Sequence, residues 1–250
     1  MIYSPSGGSV GIGFSIPASL AKGVIAQLQS SGEVERGWIG VSIGVVTEEL
    51  AELFKRPNEE GALISQVLED SPAEKAGLVA GDIVLKFDGE RVKEMRDLPK
   101  QVAQAEVGKT YKLDIWRDGK AKTIKIKTEP YPSDNAIAGG SSSDESNSEP
   151  ETDKLLGADL SELNEQNRQD YRIAKDVEGV LILSLERGGL ADKNGLRPGD
   201  VIVQFGADKS IKTPDQVTKV LKSAEKAKQS SIAVLINRRG NPGFLVFKTN

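Results

Sequence analysis

The 250-residue sequence contains no histidine and no cysteine, two residue types that often supply a base, a nucleophile or a metal ligand. Without histidine, neither a Ser-His-Asp triad nor a Cys-His pair can form, and zinc sites lose a common ligand. Without cysteine, disulfides, thiolate metal sites and thiol catalysis are excluded together. We therefore expect no catalytic residue, no metal site and no cofactor in this chain.

Two glycine-rich stretches near the start have spacings that carry chemistry in other proteins. Ser6-Gly7-Gly8 is similar to a protease nucleophile motif, but the chain has no histidine to act as its base. The pattern Gly8-x-x-Gly11-x-Gly13 lacks the spacing and the strand-to-helix context of a dinucleotide-binding loop. We interpret both stretches as structural. A Ser-Lys catalytic pair stays open, although no spacing in the sequence singles one out.

The charge is almost balanced, with 33 Lys plus Arg against 37 Asp plus Glu and a net charge of −4. This balance gives no support to a nucleic-acid partner, and without an apolar run of about 18 residues we expect no membrane insertion. The stretch from Pro130 to Asp153 is rich in serine and acidic residues and contains no base, which predicts an acidic flexible linker. Its acidic residues are Asp134, Asp144, Glu145, Glu149, Glu151 and Asp153.

An internal repeat organises the rest of the chain. Residues 61–87 align without a gap on residues 179–205 at an offset of 118, and ten of these 27 positions are identical. The repeat predicts two copies of one module, at 36–129 and 154–250, joined by the linker at 130–153. The identical positions in the first copy are Gly61, Leu63, Ile64, Ala73, Lys75, Gly77, Leu78, Gly81, Asp82 and Phe87.

Each copy follows one order of predicted elements: a buried strand, a short capped helix, a Gly-Leu-x-x-Gly-Asp turn, a second strand, a longer helix and two closing strands. We expect Asp82 and Asp200 in the turns to bond the local backbone and not a ligand. The fold class is mostly β with short helices (α+β), built as two partly open β-barrels. The strands are predicted at 62–67, 83–87, 112–116 and 123–127, and at 180–185, 201–205, 232–236 and 244–247, with longer helices at 95–105 and 214–224.

Three motifs of the first copy carry a family resemblance: Arg36-Gly37-Trp38-Ile39-Gly40-Val41, Ser71-Pro72-Ala73, and Ala76-Gly77-Leu78-x-x-Gly81-Asp82. In this order they resemble a PDZ domain as arranged in tandem in HtrA (DegP/DegQ-type) serine proteases. Residues 6–17 look like the final strand of the trypsin-like protease domain, followed by an amphipathic helix at 16–28. We therefore expect 1–35 to be a remnant of that domain. The resemblance implies that the family's catalytic triad would lie before Met1.

The PDZ resemblance implies a groove in which an extended peptide is added to an exposed strand. Its carboxylate loop needs a residue without a side chain, which Gly40 provides. Ile39, Val41 and Ile43 share one face of an extended strand, and the facing helix adds further apolar residues. The expected carboxylate loop is Arg36, Trp38, Ile39, Gly40 and Val41, and the expected groove and pocket are Ile43, Leu98, Val102 and Ala105.

The second copy is expected to form a weaker groove. Ala158 replaces Val41 and makes the pocket wall thinner, while Asp159 places a negative charge beside an incoming strand. We expect this module to serve mainly contacts between domains or subunits. The expected residues of this groove are Leu156, Gly157, Ala158, Val217 and Leu221.

The resemblance leads to a functional hypothesis: a tandem PDZ peptide-binding and regulatory region of an HtrA-type periplasmic serine endopeptidase. Its partners would be C-terminal peptides or unfolded polypeptides in protein quality control and the stress response. Two alternatives stay open, a serine endopeptidase and an assembly module that binds other HtrA subunits. Residues 1–9 lack the pattern of a signal peptide, so a periplasmic location is implied only by the family, and the chain expressed as given would be cytoplasmic.

We predict that the purified chain leaves unfolded casein intact, because it has no histidine to act as a general base. Gel electrophoresis of casein after incubation with the chain, with and without a serine-directed inhibitor, tests this. Cleavage that the inhibitor abolishes would contradict the prediction.

Overall fold

The computed structural model describes residues 36–132, 156–206 and 210–249, the backbone of 151–153, and the single residues 25, 28 and 29. Most of the predicted protease-domain remnant and most of the predicted linker lie outside the described residues, as do the glycine-rich stretches at 6–13. Ile25, Leu28 and Gln29 are helical, and Ile25 and Leu28 each expose about half of their surface.

The first module is an antiparallel sheet with the strand order β2-β3-β4-β6-β7, and β5 pairs with β4. A separate two-stranded ladder joins β1 to β8. Three helices, α1 to α3, lie between the strands. The elements are β1 Gly37–Trp38, β2 Val41–Gly44, α1 Glu48–Leu53, β3 Ala62–Val67, α2 Pro72–Lys75, β4 Ile83–Phe87, β5 Glu90–Arg91, α3 Asp97–Gln104, β6 Thr110–Arg117, β7 Lys120–Lys127 and β8 Glu129–Pro130.

The second module repeats this plan as a sheet with the order β9-β10-β11-β12-β13-β14. Both modules are open sheets with short helices, so the α+β fold class is confirmed. Two strands, β8 and β9, reach into the range 130–153 that the sequence predicted as linker. The elements are β9 Glu151–Asp153, β10 Ala158–Glu162, α4 Glu165–Tyr171, β11 Val180–Leu185, α5 Leu190–Lys193, β12 Asp200–Phe205, α6 Pro214–Lys226, β13 Ser231–Arg238 and β14 Asn241–Lys248.

Each module has its own apolar core between its sheet and its longer helix. Phe87 stacks on Tyr111 in the first core, and Phe205 meets Phe247 in the second, with ring centroids 5.1 Å apart in both pairs. The first core includes Ile39, Ala62, Ile64, Val84, Leu98, Val102, Leu113, Ile115 and Ile126. The second includes Leu156, Leu160, Val180, Ile182, Val217, Leu221 and Ile236.

A third apolar cluster joins the two modules. Leu63 and Ile83 alternate with the core residues of β3 and β4, so they lie on the outer face of the first sheet. Strand β14 packs on this face through Phe244 and Val246. The ring of Phe244 meets that of Phe54 edge-on at 5.7 Å. The second module therefore covers the outer face of the first sheet and leaves the opposite side, where α3 lies, uncovered by β14.

The repeated Gly-Asp turn is fixed by a buried ion pair. Asp82 has no exposed surface and accepts two hydrogen bonds of 2.5 Å from Arg117, at the end of β6. It also accepts one from the N–H of Val79, as the sequence analysis expected. The pair recurs in the second module between Arg238 and Asp200, at 2.7 and 2.6 Å. The hydrogen bond to the aspartate raises the pKa of each arginine above its ordinary value.

We predict that Arg117→Met lowers the free energy of unfolding by about 2 to 3 kcal/mol, because it leaves the Asp82 carboxylate buried without its cation. The matched control is Lys86→Met, which removes an exposed pair with Asp114 at 3.9 Å and should cost less than about 1 kcal/mol. Both tryptophans, Trp38 and Trp116, lie in the first module, so urea unfolding followed by their fluorescence reports on this module. Equal losses from the two variants would contradict the prediction.

Candidate functional site

Strand β2 is the open end of the first sheet. It pairs with β3 on one side, and no strand within the described residues pairs with its other side. An edge strand presents unpaired N–H and C=O groups that can bind an extended peptide as an added strand. The edge of β2 is therefore the main candidate for a peptide-binding surface.

The loop Trp38-Ile39-Gly40 leads into β2 and is held through its carbonyl groups. The N–H of Ala73 donates to the C=O of Ile39 at 2.9 Å, and the N–H of Leu68 donates to the C=O of Gly40 at 3.0 Å. The N–H groups of Ile39 and Gly40 donate to no acceptor within the described part of the chain. A loop whose carbonyls are occupied and whose amides are available can receive an anion.

Gly40 is required at this position for two reasons. Its φ is +76°, in the left-handed region that favours glycine. A Cβ at Gly40 would also lie 2.2 Å from the Cβ of Ser71, which is fully buried at the start of α2. Ser71 caps this helix by accepting a hydrogen bond from the N–H of Glu74, and its close contact with the loop was not predicted from the sequence.

Strand β2 and helix α3 contribute side chains to one core cluster. Val41 and Ile43 are half-buried and pack on the core cluster that contains Ile39, Leu98 and Val102. The helix is held against β1, since a Cβ on Gly37 would lie 2.4 Å from the carbonyl oxygen of Val102. The two sides of the groove differ in depth: Leu98, Val102 and Ala105 are buried, whereas Val41 and Ile43 keep part of their surface exposed.

The other two predicted loop residues lie beside the loop. Arg36 is exposed, and its C=O accepts from the N–H of Tyr131 at 3.1 Å. Trp38 is half-buried and pairs with Glu129 in the ladder between β1 and β8. The Trp38 ring would approach within 3.0 Å of a Cβ at Gly40. The guanidinium of Arg36 makes no ion pair within the described residues, so its charge is available near the loop.

The start of α3 is fixed by a carboxylate. Asp97 accepts hydrogen bonds from the N–H groups of Glu94 and Lys93, at 3.1 and 3.3 Å. The bond from Glu94 is the main cause that lowers the pKa of Asp97 below its ordinary value, and the bond from Lys93 adds to it. These hydrogen bonds fix the first turn of α3 to the loop at residues 93–94 and so hold the start of the helix in position.

A cleft of about 630 Å³, which the sequence did not predict, lies between the residues that follow β2 and those that precede α3. A ligand whose carboxylate sits at Gly40, where β2 begins, must run antiparallel to β2, so its upstream residues would point toward this cleft. The sequence contains one indication of this cleft, the apolar residue Val45 directly after β2. In the structure Val45 exposes 61% of its surface. The lining residues are Val45, Val46, Glu59, Glu60, Gly61, Lys93, Glu94, Met95 and Arg96.

The second module builds the same loop. The N–H groups of Ala191 and Glu186 donate to the C=O groups of Leu156 and Gly157, each at 2.9 Å, and Gly157 has a φ of +68°. Ala158 follows it in β10, and Val217 and Leu221 of α6 are buried in the same core. Unlike β2, strand β10 is not an edge, because β9 pairs with it.

Neither a metal site nor a membrane span stands out in the described ranges. No group of three or more acidic side chains there is placed to hold a metal ion. Among the helices that the structure describes, none combines the length and the apolar character needed to cross a bilayer.

Comparisons with known proteins agree with this geometry. The PDZ domain family matches residues 37–128. Over 248 residues the chain is 36% identical to the probable periplasmic serine endoprotease DegP-like of Bartonella henselae, covering 98% of this chain and 46% of the relative. The relative of the same name from Pseudomonas fulva is 37% identical over 247 residues, with 99% and 50% covered. The chain thus spans about half the length of these curated relatives.

Solved structures match the chain as well. The HtrA-type protease AlgW with decapeptide is 34% identical, covers 53% of this chain and 41% of its own, and superposes with a TM-score of 0.46. The serine endoprotease from Yersinia pestis is 30% identical, with 49% and 39% covered and a TM-score of 0.38.

The edge strand, its loop and the family match make this a PDZ-domain protein. The curated relatives are named as periplasmic serine endoproteases. The chain belongs to the HtrA family and corresponds to its PDZ-containing region, as the sequence resemblance indicated.

We predict that Gly40→Ala destabilises the first module by about 3 kcal/mol, because it adds a left-handed alanine and a clash with Ser71. The control is Gly108→Ala, at a φ of +82° with no atom within 4 Å of the new Cβ, which should cost only the backbone strain of about 1 to 2 kcal/mol. Urea unfolding followed by tryptophan fluorescence measures both. Equal costs would show that the loop does not approach Ser71 closely.

Proposed function

We propose that the first module binds the free C-terminus of other polypeptides along strand β2. The observation that carries this proposal is the edge of β2 together with the loop before it, whose carbonyls are bonded and whose amides have no acceptor within the described residues. The residues assigned to this site are the carboxylate loop Arg36, Trp38, Ile39, Gly40 and Val41, and the groove residues Ile43, Leu98, Val102 and Ala105.

The geometry supports a defined binding mode. The peptide joins the sheet antiparallel to β2, and its carboxylate accepts charge-assisted hydrogen bonds from the amides of Ile39 and Gly40. Arg36 adds positive potential near the carboxylate. The last side chain of the peptide packs on Val41 and Ile43 above the buried Val102, which favours an apolar C-terminal residue.

In the longer proteins of this family, the chain would act as a regulatory region. It would capture C-terminal or unfolded segments in the periplasm and present them to the protease, as part of protein quality control. The names of the relatives, probable periplasmic serine endoproteases, support this context. We assign the chemistry of peptide cleavage to residues outside this chain, which has no histidine.

We further propose the module boundaries 36–129 and 154–250, extended by strand β9, and a mainly structural role for the second module. The packing of β14 on the outer face of the first sheet supports this role. An assembly module whose grooves bind neighbouring subunits is the second candidate. The open edge of β2 is compatible with both candidates, and peptide titration distinguishes them.

We predict a micromolar dissociation constant, about −8 kcal/mol, for a ten-residue peptide that ends in a free valine. Amidating its C-terminus should weaken binding about 10- to 100-fold, because the charge-assisted bonds of the carboxylate are lost. Isothermal titration calorimetry with the matched free and amidated peptides measures both affinities. Equal affinities would contradict carboxylate recognition, and no binding of either peptide would favour the assembly module.

We predict that Val41→Glu weakens binding of the free peptide at least tenfold, since it places an unpaired charge against the apolar end of the ligand. Val102 and Leu221 also belong to the predicted grooves, but both are buried in the cores. A charge at either position would unfold its module, so neither is suitable for this test. The matched control is Val79→Glu, at an exposed valine of the Gly-Asp turn. A similar loss of affinity in both variants would place the site elsewhere.

A further inference from the structure

We propose that the groove of the second module is occupied by the chain's own residues 151–153, in the place of a peptide ligand. This inference rests on the proposed binding mode of the first module. It identifies the ligand of the second groove as a segment of the same chain, joined to it through residues 154–157.

The pairing of β9 with β10 provides the first argument. Asp153 lies opposite Ala158, Thr152 opposite Asp159, and Glu151 opposite Leu160, in an antiparallel ladder. The segment thus runs antiparallel to the strand that follows the Gly157 loop, and its last residue lies nearest that loop. A peptide bound along β2 would have the same direction and would end at the same point relative to Gly40.

The position of β9 relative to the helix provides the second argument. Strand β9 lies beside both β10 and α6, which correspond to the two walls of the groove, β2 and α3, in the first module. On the equivalent side of β2, no strand is found within the described residues. One groove therefore contains a strand of its own chain, whereas no described residue pairs with the edge of the other.

Burial provides the third argument. Leu160 occupies the position of Ile43, since Leu160 pairs with Ile182 and Ile43 with Ile64, two matched positions of the repeat. Leu160 has no exposed surface, whereas Ile43 is only half-buried. Ala158 is likewise buried, whereas its counterpart Val41 is half-buried. The strand wall is therefore more deeply buried in the second module than in the first.

Residues 151–153 are joined to the groove through only four residues, 154–157, so they bind it at a higher effective concentration than a free peptide does. Short flexible linkers give effective concentrations on the order of millimolar, above the micromolar concentrations at which free peptides would compete. Weak binding by the second module then follows from occupancy of the groove. It does not require the thinner wall at Ala158 or the charge of Asp159 that the sequence analysis invoked.

The first experiment measures backbone pairing by hydrogen–deuterium exchange of the full chain. In an antiparallel ladder, alternate amides of β10 face β9 and should be protected, whereas the amides on the open side of β2 should exchange quickly. The double variant Glu151→Pro/Thr152→Pro removes two N–H groups from β9 and should speed exchange of those β10 amides at least tenfold. The control is Ser146→Pro/Asn147→Pro, in the same acidic stretch, which should change nothing in β10.

The second experiment tests whether the segment occupies the groove as a ligand. In the Val41→Glu background, where the first groove is disabled, the ten-residue peptide with a free C-terminal valine should bind at least tenfold more tightly after Glu151→Pro/Thr152→Pro than before. The Ser146→Pro/Asn147→Pro control should leave affinity unchanged. The variant Ala158→Val, without the proline pair, should also leave it unchanged.

Three results would overturn the inference: unprotected β10 amides in the unmodified chain, protection that survives the proline pair, or release of the strand without any gain in peptide affinity. The exchange experiment uses no peptide. If the first module failed to bind peptides but β10 lost protection on substitution, the proposed function would fall while the pairing of residues 151–153 in the second groove would stand.

Discussion

The hydrogen-bonding demand of the backbone at a sheet edge is the constraint on which the structure depends. Every strand at the end of a sheet has a row of N–H and C=O groups without a strand partner. In the first module, no strand of the described residues pairs with this side of β2, and the loop beside it has amides without an acceptor among those residues. In the second module, the same edge is paired with β9. The difference between two modules of one repeat is therefore mainly a difference in what pairs with one strand.

The buried Asp-Arg pair explains why the Gly-Leu-x-x-Gly-Asp turn recurs in both modules. Asp82 joins the turn to the end of β6 through Arg117, and the arginine also donates to the C=O of Gly77 at 2.8 Å. The same bond runs from Arg238 to the C=O of Gly195 at 2.9 Å. One carboxylate thus connects the end of a short helix, a turn and a distant strand, and replacing it would disturb all three.

The sequence predicted the buried strands well, because continuous apolar runs between glycine turns are typical of the core of such a sheet. Strands β3, β4 and β11 have the predicted bounds, and the long helix α6 begins at the predicted Pro214. Strand β9 was missed, because its three residues lie in an acidic stretch and their pairing is determined by β10 rather than by their own propensity. Helix α1 was missed although Thr47 caps it in a recognisable way. The contact of Phe54 with Phe244 depends on how the modules pack, which local patterns do not encode.

The ends of the two main sheets also bear on aggregation in the part of the chain that the structure describes. The far edge of the first sheet, β7, carries Lys120, Lys122, Lys125 and Lys127, and a row of like charges discourages edge-to-edge association of copies. The far edge of the second sheet, β14, packs its apolar residues against the first module. The other end of the second sheet is β9, which carries Glu151 and Asp153. Strand β2 is therefore the one end of these two sheets without a charged side chain. If β2 binds other polypeptides as proposed, those polypeptides compete directly with association of two copies of the chain through the same strand.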